Sequence, residues 1–210
     1  LRVAVVPAPN LNPEPDPVVP IAGGPGQGSV EFYANYRGAF EPLRRNRDIM
    51  LVDQRGTGDS SRMDCPIDDD AILFESEFSL DDTLQFVKDC LDDLPHDPRY
   101  FTTSVAVTDL EAVRIALGYT KLNLYGVSYG TRVAQHFARR YPDSTRTVVI
   151  DGVVPPQIAL GPEIATESQA AIDNILARCT EDAACGERFP DIAATFARIV
   201  AAVREAPVAV

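Results

Sequence analysis

Leu122-Asn123-Leu124-Tyr125-Gly126-Val127-Ser128-Tyr129-Gly130-Thr131-Arg132-Val133-Ala134-Gln135-His136-Phe137 decides the fold. An apolar, strand-like stretch runs into Gly-x-Ser-x-Gly, and a helix-compatible stretch follows at once. The five-residue pattern alone arises by chance in about one chain in ten of this length. Its setting between a strand and a helix is what a nucleophilic serine on a tight turn requires. The reason is steric. The strand must turn into a helix within a few residues, so Ser128 sits on the turn with its hydroxyl exposed. Gly126 and Gly130 leave space where Cβ atoms would collide with backbone. The helix N-terminus behind Ser128 presents free N–H groups to developing negative charge.

Working outward, strands alternate with helices. Arg2–Val6, Val18–Ala22, Asp48–Val52, Lys121–Tyr125 and Thr145–Ile150 read as strands. Helices are expected from Ser29, as a cap, to about Phe40, over Leu80–Leu94, Ser104–Leu117 and Thr131–Tyr141. Gly118 stops the third of these. After Pro155-Pro156 the chain turns to Ala-rich helices, about Glu163–Thr180 and Ile192–Glu205. This alternation implies a mostly parallel sheet with helices on both faces. Ligands of such sheets bind at the carboxyl ends of strands. Two sharp turns lie there besides the serine turn: Gly23-Gly24-Pro25-Gly26 and Asp53-Gln54-Arg55-Gly56-Thr57-Gly58-Asp59-Ser60. Acyl transfer needs N–H donors aimed at the tetrahedral oxyanion. One is the N–H of Tyr129, the residue after the nucleophile. The other comes from the earlier glycine loop, with Gly24 the first choice and Gly23 the next.

These three motifs, in this order, resemble an α/β-hydrolase of the proline iminopeptidase and tripeptidyl aminopeptidase group. The stretch Cys179 to Cys185-Gly186-Glu187-Arg188-Phe189-Pro190 resembles the cap region of the secreted tripeptidyl branch. The resemblance covers roughly Val18 to Pro190. It implies a serine exopeptidase that forms an acyl-enzyme on Ser128 and acts on peptides with a free amino terminus, without metal or organic cofactor. It divides the chain into the amino-terminal part of the hydrolase core, residues 1–155, and the start of a helical cap, residues 156–210. Many relatives carry His before Gly-Gly-Pro-Gly, where this chain has Ala22; the donors are backbone groups, so function survives the change. Esterases and lipases of the same fold more often carry a different glycine loop, which favours a peptidase over a carboxylesterase.

A serine nucleophile needs a base and an acid that orients it. The fold's chain order is Ser, then Asp or Glu, then His. The chain contains two histidines, His96 and His136. His136 lies eight residues past Ser128 on one helix, ~12 Å of rise away. His96 precedes Ser128 in a Pro-His-Asp-Pro loop. Neither fits. Asp151 ends the strand after the nucleophile helix, where some relatives place an acid, although this group is expected to place it after the cap. Glu163 and Glu167 fall where the family's amine-binding acids lie, with no motif to select them. The nucleophile and oxyanion donors are therefore expected in a fragment whose chain continues beyond Val210 with the Asp and His. By itself it would be inactive. A non-catalytic scaffold is the rival should the natural chain stop there. Arg55 is read as an ion-pairing residue of its turn, with a substrate role as the alternative. Phe32, Tyr33 and Tyr36 read as core more than pocket.

Composition bounds the partners. The 210 residues carry 19 Lys and Arg against 31 Asp and Glu, a net charge of −12. That balance works against nucleic-acid binding. No apolar run approaches the roughly 18 residues that span a bilayer, so no membrane partner is expected. Between Asp64 and Asp97 lie twelve acids and one base, Lys88; this is a solvated excursion, or a field that draws cationic peptides. Four cysteines without a CxxC pair disfavour zinc. Cys65 and Cys90 bracket the acidic stretch, and Cys179 and Cys185 bracket a short turn. Bridges 65–90 and 179–185 would imply a secreted or periplasmic protein. Four reduced thiols would imply a cytoplasmic one.

Overall fold

A computed structural model describes residues 1–65, 79–159 and 161–206. The part of the acidic excursion between residues 66 and 78 lies outside the described residues. The chain forms two compact units, Leu1–Pro156 and Gln157–Val210.

The first unit is built on five strands: β1 (Val3–Val6), β2 (Val18–Ile21), β3 (Ile49–Val52), β4 (Leu122–Val127) and β5 (Thr145–Asp151). Their order is β1-β3-β2-β4-β5, with β1 antiparallel to β3 and the other pairs parallel. Helices α1 (Ser29–Arg44), α2 (Leu80–Asp93), α3 (Thr103–Ala116) and α4 (Tyr129–Arg140) join them. Period-two alternation explains why both sheet faces are apolar. Val19, Ile21, Met50, Val52, Leu122 and Leu124 point to one face, where α3 and α4 add Val107, Leu110, Val133 and Phe137. Val18, Ile49 and Leu51 point to the other, where α1 adds Phe32, Tyr33 and Phe40. β5 is different: as an edge strand it leaves Val148, Val149 and Ile150 exposed.

Several boundaries differ from the sequence reading for physical reasons. Ser29 is not the cap of α1. Gly28 occupies the cap position, and the buried Asp53 carboxylate accepts from Val30 N at 3.0 Å in its stead. The Ser29 hydroxyl accepts from Ala22 N at 3.4 Å. Helix α1 also continues past Phe40 to Arg44 with Pro42 inside it. Helix α4 starts at Tyr129, not Thr131, because Ser128 itself takes the cap position. Helix α2 is capped by Ser79 in a capping box with Asp82. The Cys65–Cys90 disulfide is formed.

At the end of the sheet away from the serine turn, Asp16 is 4% exposed. Its carboxylate accepts from Arg47 Nε at 3.0 Å, Arg146 Nη1 at 2.5 Å and Asn123 Nδ2 at 2.6 Å. Burial raises its pKa, but the hydrogen bonds from Asn123, Arg146 and Arg47 outweigh burial and hold it below the ordinary carboxylate value. The linkage sign follows. A depressed carboxylate contributes stability above its unfolded pKa, near 3.8, and loses it as pH falls through the folded value. Asp16→Ala should destabilise the fold by about 3 kcal/mol at neutral pH, since two guanidiniums and an amide lose their partner. The gap to the parent should shrink at acid pH. Urea unfolding at pH 7 and pH 3 reads both effects, and an unchanged midpoint at pH 7 would refute the assignment.

The second unit contains α5 (Ile164–Glu181), α6 (Ala183–Arg188) and α7 (Ile192–Glu205). The Cys179–Cys185 disulfide joins α5 to α6. Asp182 caps α6 by accepting from Cys185 N at 2.8 Å. Helix α6 was absent from the sequence reading. It has six residues, too few for periodicity to register.

Candidate active site

Ser128 sits at the junction of β4 and α4 with φ 53° and ψ −120°. A non-glycine residue there is held against its intrinsic preference, at a cost of about 1–3 kcal/mol. Neighbouring contacts impose it. Ser128 N donates to Asp151 O at 2.8 Å, and Thr131 N donates to Ser128 O at 3.0 Å. A Cβ on Gly126 would strike the backbone of Gly130, and one on Gly130 would strike the carbonyls of Ile21 and Ala22. Turn, helix and β2 therefore meet with no room for side chains. The Ser128 side chain remains exposed.

The glycine loop after β2 lies against this serine. A Cβ on Gly23 would stand 3.2 Å from Ser128 Cβ and 3.7 Å from its Oγ. Gly24 has φ +103°, a conformation that favours glycine. Tyr129 is the first residue of α4, so its N–H has no partner within the helix. Among the described residues no hydrogen bond takes up the N–H of Gly24 or of Tyr129. The Tyr129 side chain is fixed by a 2.6 Å hydrogen bond between its hydroxyl and that of Thr103 on α3.

Two features escaped the sequence reading. Buried Thr131 donates its hydroxyl to Ser128 O at 2.6 Å and accepts from Val154 N at 2.8 Å. It pins the serine turn to the segment after β5. Its position one residue past Gly-x-Ser-x-Gly was the available signal. Asp53 is the other. Besides Val30 N, it accepts from Asp59 N at 3.3 Å. Its backbone carbonyl accepts from the Ser60 hydroxyl at 2.7 Å. The second glycine turn is thereby tied to the start of α1, which follows the first.

The side chains of the remaining titratable candidates in the first unit are engaged by other partners. Arg55 makes a bidentate pair with Asp109, both contacts at 2.7 Å, and donates to Tyr100 O at 3.1 Å. Its partner is on α3, not in its own turn. Hydrogen bonding to Asp109 raises its pKa over the opposing effect of burial. Phe32 and Tyr33 are core residues, and Tyr36 is exposed with its ring 5.0 Å from Phe32. The His136 ring lies 3.4 Å from Ser104 Oγ on α3. Burial, then the charges of Arg139 and Arg140, lower its pKa. His96 stacks on Phe101 at 6.1 Å. The Asp151 carboxylate accepts from the Tyr125 hydroxyl at 2.8 Å and, first among the causes, raises the pKa of that phenol. Glu163 and Glu167 are exposed at the start of α5. Among the described residues no group of His, Cys, Asp and Glu could hold a metal ion, and no helix is long and apolar enough to cross a membrane.

Residues 16–172 match the family model for the alpha/beta hydrolase fold. The chain is 31% identical over 183 residues to serine protease Hip1 of Mycobacterium bovis, covering 78% of this chain and 35% of that protein. It is 30% identical over 148 residues to the tripeptidyl aminopeptidase of Streptomyces lividans, covering 64% of this chain and 28% of that protein. The chain thus spans about a third of the length of these curated relatives. The solved structure of a marine microorganism esterase superposes with a TM-score of 0.50 at 16% identity, over 90% of this chain and 58% of that one; at that identity the likeness speaks to fold alone. A strained serine between β4 and α4, a glycine loop packed against it and a family match across both lead to one assignment: the chain belongs to the α/β-hydrolase fold family, in the group that includes the proline iminopeptidases and tripeptidyl aminopeptidases.

Proposed function

We propose that this chain is the nucleophile-bearing part of an exported serine aminopeptidase. The observation that carries the reading is Ser128 held at φ 53° beside two unengaged backbone donors. Ser128 Oγ attacks the carbonyl of an amino-terminal residue or short peptide, and its proton passes to a base. The N–H groups of Tyr129 and Gly24 hold the oxyanion. The base returns the proton to the leaving amine, and water then hydrolyses the ester. The peptidase half of the reading draws on the names of the relatives, a serine protease and an aminopeptidase.

The base and its orienting acid come from further chain in this proposal. The His136 ring meets Ser104, the His96 ring stacks on Phe101, and the exposed apolar edge at β5 is where additional strands would join. Two disulfides fit an oxidising compartment. The substrate is a peptide with a free amino terminus, with no nucleic acid, membrane or cofactor taking part.

The test uses the protein at its full natural length. A fluorophosphonate probe followed by peptide mapping should place the label on Ser128. Aminoacyl or tripeptidyl anilides should be hydrolysed, and N-acetylated versions should not. Labelling elsewhere would refute the nucleophile. Turnover of p-nitrophenyl esters alone would refute the peptidase reading and leave an esterase.

A further inference from the structure

A cavity of about 210 Å³ opens beside the serine turn. Pro25 and Gly26 of the first glycine loop and the Tyr129 side chain form one wall. Gln54, Met63 and Phe101 form much of the remainder. Both groups proposed to bind the oxyanion are therefore next to it in sequence: Gly24 precedes Pro25, and Tyr129 itself lines the cavity. Its size is below the ~300–1,000 Å³ of sites for drug-sized ligands and suits one side chain.

The chemistry of the walls is neutral. Arg55 also borders the cavity, but its guanidinium is committed to Asp109 and Tyr100 O and lies over the Phe101 ring at 5.9 Å. A substrate carboxylate would find no unpaired charge in it. Met63 and Phe101 offer polarizable and aromatic surface, which suits an apolar side chain. Gly56 keeps the space open: a Cβ there would stand 3.0 Å from the Phe101 ring and 3.6 Å from Met63 Cε.

The sheet order decides which part of a substrate enters. Gln54 to Thr57 follow β3, and β3 and β5 lie on opposite sides of the β2–β4 pair. The proposed base approaches from the β5 side, so the leaving amine, which takes its proton, faces β5. The acyl residue then faces β3. We infer that this cavity is the specificity pocket for the residue whose carbonyl is attacked, and that it takes an apolar, unbranched or γ-branched side chain such as that of methionine or leucine. The inference rests on the serine aminopeptidase reading.

Met63 supplies the test, because it stands on a loop outside any helix or strand. In the full-length protein, Met63→Trp should lower kcat/KM for substrates with Leu at the attacked residue about thirtyfold, and for those with Ala less than about threefold. Met63→Ala should raise the Phe-to-Leu ratio of kcat/KM about tenfold. If Met63→Trp does not fold, the ratio for Met63→Ala decides. Equal effects on all side chains, or none, with fluorophosphonate still labelling Ser128, would overturn the pocket and leave the nucleophile standing. Loss of labelling in the parent protein would remove the nucleophile and the pocket together.

Discussion

Ser128→Ala in the full-length protein should lower kcat by about 10⁴-fold or more, with KM little changed and fluorophosphonate labelling abolished. The oxyanion donors are backbone groups, so they survive the substitution and the residual rate should remain above that of uncatalysed hydrolysis. The fold should survive as well, because the lost hydroxyl is exposed. A second variant separates function from structure. Ser128→Gly removes the same hydroxyl but accepts φ 53° without strain. It should be more stable than Ser128→Ala by about 1 kcal/mol while equally inactive. A serine kept for structural reasons would give no such pairing of lost activity with gained stability. Thermal or urea unfolding beside a turnover assay measures both quantities, and near-normal activity in either variant would sink the nucleophile assignment.

Gly130→Ala should be the most damaging single methyl in the first unit. A Cβ at Gly130 would meet the carbonyl oxygens of Ile21 and Ala22, which are buried backbone and cannot swing aside. Relief requires α4 to lift from the end of β2, which separates Ser128 from the glycine loop. A loss of about 3 kcal/mol or more is expected. Labelling of Ser128 should be lost in whatever fraction still folds. Gly38→Ala is the matched control. A Cβ there meets nothing within 4 Å, on the exposed side of α1. Alanine should stabilise that helix by about 0.5–1 kcal/mol. Equal unfolding midpoints for the two variants would refute the packing argument.

The legible parts of this protein are those whose cause is local. Gly126 and Gly130 flank Ser128 within five residues, so the serine turn carries its own explanation in sequence. The apolar spacing of Val107, Leu110 and Val113 writes out α3, and Cys179 and Cys185 lie close enough to pair across a short turn. The parts that escaped depend on residues brought together from afar. Asp53 replaces Ser29 as the cap of α1 across 23 positions, and Arg55 finds Asp109 across 54. Neither partner is marked by spacing, because a carboxylate at a strand end reads the same whether it caps a helix or faces water. Thr131 looked like ordinary helix, since nothing in its neighbourhood announces Val154. The oxyanion loop was legible as glycine, while the cavity beside it required three loops to close first.

The Asp53 carboxylate has a consequence for recombining this protein with its relatives. One oxygen holds the start of α1 and the other holds Asp59 N, while Gly28 and Gly58 leave the space that it fills. The three positions form a single packing unit spread over about thirty residues of chain. A crossover placed between Gly28 and Asp53 would split the carboxylate from one of the glycines that make room for it, and any larger residue at position 28 or 58 would press on the same carboxylate. Chimeras that exchange residues 23–60 as one block keep that unit whole, and with it the tie between the second glycine turn and the start of α1.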